Sequence, residues 1–143
     1  MCDIDINLIA PWTKEQQRNY LKQLRKEAKD QELKMEYIKA GRIETELCAK
    51  LDINSDQLRK KNGKREIMEK KQIIFCSILQ NTNLGPSKVA RLFGYEHAII
   101  YHAASTISGL IETDYEFRKK IDDYGIKYEI RQDETGKQVI FQF

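Results

Sequence analysis

The chain contains few of the residues that interrupt helices or cross-link loops. Its 143 residues include seven glycines, two prolines and three cysteines. So little glycine and proline favours a mainly helical protein. Cys2, Cys48 and Cys76 are odd in number, far apart and without a Cys-x-x-Cys pair. This spacing predicts reduced thiols, and neither a disulfide framework nor a zinc site.

Long apolar runs and common catalytic motifs are also missing. No apolar stretch approaches the roughly 18 residues of a membrane span, and Asp3 and Asp5 stand where a signal peptide would have its basic region. We therefore expect a cytoplasmic protein with no membrane partner. The sequence has no Gly-x-x-x-x-Gly-Lys-Ser/Thr loop for a nucleotide. It also has no nucleophile–base–orienter set, so we expect no enzyme, cofactor or metal.

Positive charge is what the first half of the chain does contain. The net charge is +3, but residues 13–71 hold 17 lysines and arginines against 11 acids, whereas residues 72–143 hold 8 against 9. Such a field attracts phosphates, although an excess of lysine on a helix surface also increases solubility.

The N-terminal region predicts an arm followed by helices. Apolar and polar residues alternate over residues 1–12, which is typical of an extended segment, and Trp12 is expected to dock on the body. Thr13 and Gln16 have capping-box spacing, so a helix should begin there. Gly41 predicts a break in it.

Residues 43–61 have the apolar spacing of a helix-turn-helix. Asp52 stands where such turns usually have glycine, and Asn54 can cap a short helix after it. The same spacing suits two packed helices, so both interpretations stay open.

Residues 59–65 carry five positive charges in seven positions. This basic run either contacts phosphates or the minor groove, or is a solvated linker. It predicts a boundary, with an arm and helical region at 1–62, a helix-turn-helix domain at 63–125 and a β-hairpin at 126–143.

Residues 84–103 are the most informative stretch. They predict a short helix over 87–93, a tight turn at 93–96 and a second helix over 97–111. This is a helix-turn-helix, a unit whose second helix commonly lies in the DNA major groove. His97, in the first turn of that helix, is expected to contact DNA or else to cap the helix.

The C-terminal residues predict a capped helix and a hairpin. Asp114 should cap a helix with Tyr115, Phe117 and Ile121 on its apolar face. A lone two-stranded ribbon is marginal in water, so the hairpin must pack on helices or pair with another chain. Its edge and the N-terminal helix are both candidate surfaces for a homodimer.

The segment from about Lys71 to Tyr124 resembles the C-terminal DNA-binding domain of the bacterial chromosomal replication initiator DnaA. The matching residues are the Phe93-Gly94 turn, His97, Tyr101-His102-Ala103 and the start of a helix at Asp114. The resemblance implies a mainly α fold, a Trp-repressor/DnaA-like helix-turn-helix cluster, here with a long N-terminal helix and a C-terminal β-hairpin. It also implies that His102 occupies a packing position.

The resemblance further implies which residues contact DNA. Glu96 and His97 match the acid and the histidine at the start of the family's recognition helix, whereas Ala98 and Ile99 replace two threonines. These two can touch a thymine methyl but cannot hydrogen-bond a base edge. The predicted DNA-binding residues are Lys88, Arg91, Tyr95, Glu96, His97, Ala98 and Ile99 of the motif, with Arg59, Lys60, Lys61, Lys64 and Arg65 of the basic run.

The sequence therefore predicts a protein that binds double-stranded DNA with helix 97–111 and regulates transcription or replication, of the kind a phage or mobile element encodes. The alternative is an adaptor that keeps the DnaA-like fold but binds another protein through Ala98, Ile99 and Tyr101. Homodimerisation is open in both cases.

Overall fold

The computed structural model describes residues 12–61, 63–134 and 136–143. The predicted arm, apart from Trp12, lies outside them. Within the described residues the chain forms helices followed by one antiparallel hairpin; the composition predicted the helices and the C-terminal sequence pattern predicted the hairpin. The elements are α1 (Lys14–Leu51), α2 (Ser55–Arg59), α3 (Arg65–Asn81), α4 (Gly85–Phe93), α5 (His97–Thr113), α6 (Tyr115–Asp123), β1 (Lys127–Asp133) and β2 (Gly136–Gln142).

Two compact units are present, Met1–Met35 and Glu36–Phe143. In the first, α1 begins with the predicted capping box. The Gln16 amide donates to Thr13 Oγ1 at 3.2 Å, and Gln16 Oε1 accepts from the Thr13 amide at 2.9 Å. Trp12 packs edge-on against Tyr20, with ring centroids 5.0 Å apart. The domain division predicted from the sequence remains a prediction.

The expected break at Gly41 is wrong, because α1 continues through it to Leu51. Glycine inside a helix costs about 1 kcal/mol relative to alanine. Burial of Ala40, Ile43 and Leu47 on one face of the same helix outweighs that cost. Thr45 Oγ1 also donates to the Gly41 carbonyl at 2.9 Å.

The second unit is built around α3. Six consecutive residues of this helix, Ile73–Ile78, are buried, which is the pattern of a helix covered on all sides. It packs along α5, against α4 and against β2. Cys76 is fully buried there, as predicted, and burial raises the pKa of its thiol to about 12.

The last helix and the hairpin complete the core. Asp114 caps α6 by accepting from the amides of Glu116 and Phe117, as predicted. Phe117 and Ile121 are buried, but Tyr115 is 72% exposed, so its placement on the apolar face is wrong. In the first turn of α6 it lies outside the stripe that Phe117 and Ile121 define.

The hairpin packs on helices, which is one of the two arrangements the sequence predicted. Val139 and Phe141 of β2 are buried, and the side chains of Gln80 and Asn81 on α3 bond the β2 backbone. None of the described helices is both long enough and apolar enough to span a membrane.

Candidate nucleic-acid interface

The turn between α4 and α5 is closed by a left-handed glycine. Gly94 has φ 75° and ψ 31°, a conformation that glycine adopts without steric cost. The Tyr95 amide donates to the Ala90 carbonyl at 2.9 Å and so ends α4. Val89, Ala90 and Phe93 are buried and fix α4 to the core. The predicted helix-turn-helix geometry is therefore confirmed.

The amino-terminal turn of α5 is uncovered by the described residues. Glu96 is its N-cap residue, with extended backbone and no side-chain hydrogen bond to the helix. His97, Ala98 and Ile99 are exposed, and Tyr101 is 59% exposed. Helix amino termini carry unpaired N–H groups and partial positive charge, so this end can receive an anion.

His97 does not cap the helix. It is the first residue of α5, and its ring meets the Tyr101 ring edge-on, with centroids 6.5 Å apart. No hydrogen bond therefore supports the interpretation that His97 caps the helix.

The hairpin lies along the middle of α5, away from its amino end. Gln138, Val139 and Ile140 of β2 face Ala104 and Ser105 across a shallow groove. The first turn of α5 does not line this groove. The hairpin therefore leaves the candidate surface accessible.

Behind the turn, a buried lysine and a tyrosine hold the start of the basic run in place. Lys71 is 1% exposed, and its ammonium donates to the Lys60 carbonyl and, at 3.2 Å, to Tyr95 Oη. The Tyr95 hydroxyl lies 2.7 Å from the Lys60 carbonyl and 3.2 Å from the Leu58 carbonyl. Buried polar groups need such partners, so this network fixes the end of α2 beside the helix-turn-helix.

The two arginines of the basic run differ in how far they are engaged within the protein. Arg59 forms an ion pair with Glu44 at 2.9 Å and stacks over Phe93, with its guanidinium carbon 5.1 Å from the ring centroid. Arg65 is almost fully solvated, with its Nε 3.8 Å from Glu69, a carboxylate shared with Lys120 of α6. The structure therefore places Arg59 against α4 and Arg65 on the α6 side of α3.

Lys61 is the residue of the basic run that lies beside α5. It lines a cavity of about 590 Å³ together with Tyr95, Glu96 and Ile99 of the motif. Lys60 and Lys64 are exposed. The five cations of the basic run therefore lie in different surroundings. Of these five, only Lys61 lines this cavity together with residues of the motif.

His102 lines the same cavity and is exposed. The packing position implied for it is wrong. It lies one turn after Ala98 on the side of α5 that faces the cavity, and its Nε2 is 3.4 Å from Thr106 Oγ1. The buried positions of α5 are instead Ile100, Ala103, Ile107 and Ile111.

The two predicted cations of α4 share one side of that helix. Lys88 and Arg91 are three residues apart, and the neighbouring Val89 and Ala90 are buried. Lys88 is half-buried and Arg91 is exposed. Neither forms an ion pair with a described residue, so both cations are available to an external anion.

Sequence reasoning missed the contribution of α3 to this surface. Met68, Lys71, Gln72 and Phe75 complete the lining of the cavity. Their spacing of three and four residues marks one helical face, and a lysine within it was the available signal. Only the fold shows that this face meets the turn.

The fold and the turn define the class of protein, a helix-turn-helix protein. No protein-family model matches the chain. It is similar to the chromosomal replication initiator protein DnaA of Bacteroides fragilis (strain YCH46), with 28% identity over 78 residues, 54% of this chain and 16% of that protein. It is also similar to DnaA of Bacteroides thetaiotaomicron, with 27% identity over 78 residues, 54% of this chain and 17% of that protein.

These similarities confirm the resemblance to DnaA. The chain covers about a sixth of the length of the curated relatives it matches. The similarity is therefore to a part of those proteins, and it does not transfer the activity of the whole initiator.

Proposed function

We propose that this protein binds duplex DNA with the amino-terminal turn of α5 in the major groove. The observation that carries the proposal is the uncovered first turn of a helix that follows a glycine-closed turn. The similarity to DnaA supports it. Glu96, His97, Ala98 and Ile99 would face base edges, and Lys88, Arg91 and Lys61 would contact phosphates.

The base contacts of this proposal are mainly steric. Ala98 and Ile99 can touch thymine methyl groups, whereas His97 and Glu96 are the hydrogen-bonding side chains of the first turn. We infer that the preferred sequence differs from one read by two threonines at these positions. The role that fits is regulation of transcription or replication in the cytoplasm of a bacterium or a phage-infected cell, by binding and without catalysis.

The proposal is tested by titrating labelled duplex DNA with the full chain at two or more salt concentrations. Removal of two phosphate-contacting cations, in the variant Lys88→Ala/Arg91→Ala, should lower affinity at least about tenfold and reduce the slope of log affinity against log salt by roughly two. The control is Lys29→Ala/Lys119→Ala, which removes two exposed cations elsewhere and should have a clearly smaller effect. Wild-type protein without salt-sensitive binding would refute the proposal.

A second candidate function rests on apolar exposure at the same surface. Ile99 is 40% and Met68 36% exposed at the cavity, and Tyr101 of α5, which does not line the cavity, is 59% exposed. Exposed aromatic and aliphatic side chains beside a cavity are typical of protein-binding anchors. The alternative is therefore an adaptor that binds a protein through this face.

The two functions respond to different substitutions. If the adaptor is correct, Ile99→Ser/Tyr101→Ser should abolish capture of a specific protein from nuclease-treated extract, and Lys88→Ala/Arg91→Ala should not. If DNA binding is correct, no specific protein partner is captured from nuclease-treated extract. Lys88→Ala/Arg91→Ala then lowers the affinity for DNA more than Ile99→Ser/Tyr101→Ser does.

A further inference from the structure

The two outer edges of the hairpin differ in their hydrogen bonding. The outer edge of β2 is occupied, because Gln80 bonds the Val139 carbonyl and the Phe141 amide, and Asn81 donates to the Phe141 carbonyl at 3.0 Å. The described residues place no strand and no hydrogen-bond partner on the outer edge of β1. Only β1 can therefore accept another strand.

The register of the hairpin determines which backbone groups of β1 point outward. Asp133 lies opposite Gly136, so a two-residue connection joins the strands. The closing pair of such a hairpin exchanges both hydrogen bonds, and hydrogen-bonded pairs then alternate along the ladder. Consequently Tyr128, Ile130 and Gln132 direct their N–H and C=O groups away from β2.

An apolar row on the helix-facing side of the sheet ends at this edge. Ile130 lies opposite Val139 in the register, so their side chains are on the same face. Val139 is 1% exposed, but Ile130 is 48% exposed. A strand added beside β1 would continue the row and cover Ile130.

We propose that β1 pairs antiparallel with β1 of a second copy of this chain, about a two-fold axis at Ile130. In this register, Glu129 lies opposite Arg131 of the second copy, and Arg131 lies opposite its Glu129. A shift of two residues in one direction places Glu129 opposite Glu129, and a shift in the other places Arg131 opposite Arg131. The charges thus select both the register and a second copy as the occupant.

The solvent face of β1 presents these charges in the required positions. Glu129 and Arg131 are near each other within one chain, with Arg131 Nε 3.4 Å from Glu129 Oε1. They occupy the non-hydrogen-bonded positions of the new pairing, where opposed side chains are closest. The resulting dimer has the two-fold symmetry of palindromic DNA sites, but the inference does not depend on DNA binding.

Light scattering and sedimentation of the full chain over a range of concentrations test the proposal without DNA. The wild type should form dimers. Glu129→Arg and Arg131→Glu should each raise the dimer dissociation constant roughly tenfold or more, because two attractive cross-strand pairs become repulsive. The controls Glu112→Arg and Lys119→Glu change the same charges at exposed positions on α5 and α6 and should stay dimeric.

Mixing the two single variants separates an interface effect from damage to the hairpin. Each variant alone has lost its internal Glu129–Arg131 pair, but a mixed dimer restores opposite charges at both cross-strand positions. The mixture should therefore form heterodimers, and the double variant Glu129→Arg/Arg131→Glu should form homodimers again.

Three results would overturn the proposal. They are a wild type that is monomeric at every concentration measured, single variants that dimerise as well as the wild type, and a mixture of correctly folded single variants that stays monomeric.

Discussion

Two segments of this protein share the apolar spacing of a helix-turn-helix and use it differently. In the first, the end of α1 turns at Asp52 into the five-residue helix α2. In the second, α4 turns at Gly94 into the seventeen-residue helix α5. Both turns contain a left-handed residue, with φ 54° at Asp52 and φ 75° at Gly94.

The two segments differ in whether their polar side chains form hydrogen bonds within the protein. In the first segment, Asn54 and Gln57 bond each other's backbone amides in a capping box, and Ser55 and Arg59 both donate to Glu44. In the second segment, the first turn of α5 has no side-chain cap. The first segment has its polar side chains engaged internally, whereas the second presents them to solvent.

This comparison favours the interpretation of residues 43–61 as two packed helices. Leu47, Leu51, Ile53 and Leu58 are all buried, and α2 is held against the second segment by the Tyr95 and Lys71 hydrogen bonds. The spacing of apolar residues predicts that two helices pack around a turn. It does not predict which face of the second helix remains accessible.

The largest expected effect comes from the core of the first segment. Leu58→Ala removes a side chain that is 0% exposed and should lower the free energy of unfolding by about 2–5 kcal/mol, through lost burial and a cavity. Ile99→Ala, on the exposed turn of the second segment, should change it by less than about 0.5 kcal/mol. Urea denaturation monitored by circular dichroism measures both changes. Equal losses would contradict the difference in burial between the two segments.

The link between the two segments should have the next largest effect. Tyr95→Phe deletes the hydroxyl that lies against two carbonyls at the end of α2, and it removes one of the two acceptors of the buried Lys71 ammonium, whose other acceptor is the Lys60 carbonyl. We expect a loss of about 1–3 kcal/mol in unfolding free energy. Tyr101→Phe is the matched control, because that ring is 59% exposed, and it should be neutral in the same denaturation experiment.

Substitution of the left-handed residue should change the stability of the protein in opposite directions at the two turns. Gly94→Ala should destabilise the protein by about 1 kcal/mol, because alanine is strained at φ 75° although no atom crowds its Cβ. Asp52→Gly relieves strain but increases the entropy of the unfolded chain, so stability should rise by no more than about 0.5 kcal/mol. Thermal unfolding of both variants measures these changes, and destabilisation by Asp52→Gly would contradict the predicted opposite signs.

The smallest expected effect is a pH dependence of stability, which arises from the contact between α1 and the loop before α4. The Asn83 amide donates to Glu36 at 3.0 Å, and this hydrogen bond, with help from Lys39, lowers the pKa of the Glu36 carboxyl. The stabilisation is present above the ordinary value of 4.5 and is lost as pH falls through the lowered pKa.

Unfolding curves of the wild type and Glu36→Gln should therefore differ slightly at neutral pH and converge in acid. A difference that persists unchanged at low pH would exclude the carboxylate as its source.

Local sequence rules predicted most of the helices because their signals lie within a few residues. Thr13, Asn54 and Asp114 cap as predicted, and Gly94 closes the predicted turn. The failures came from long-range packing. Gly41 is carried inside α1 by the burial of its neighbours, and His102 is exposed because the fold buries another face of α5.

By itself, the sequence determined most of the helices, the turn at Phe93-Gly94, the C-terminal hairpin and the resemblance to DnaA, since each depends on residues close together in the chain. Only the tertiary structure decided which cations of the basic run are engaged and which side of α5 is uncovered. It also decided that β2 rather than β1 has its outer edge bonded by α3. These properties depend on distances between residues that are far apart in sequence, and packing sets those distances only when all elements compete for the same core.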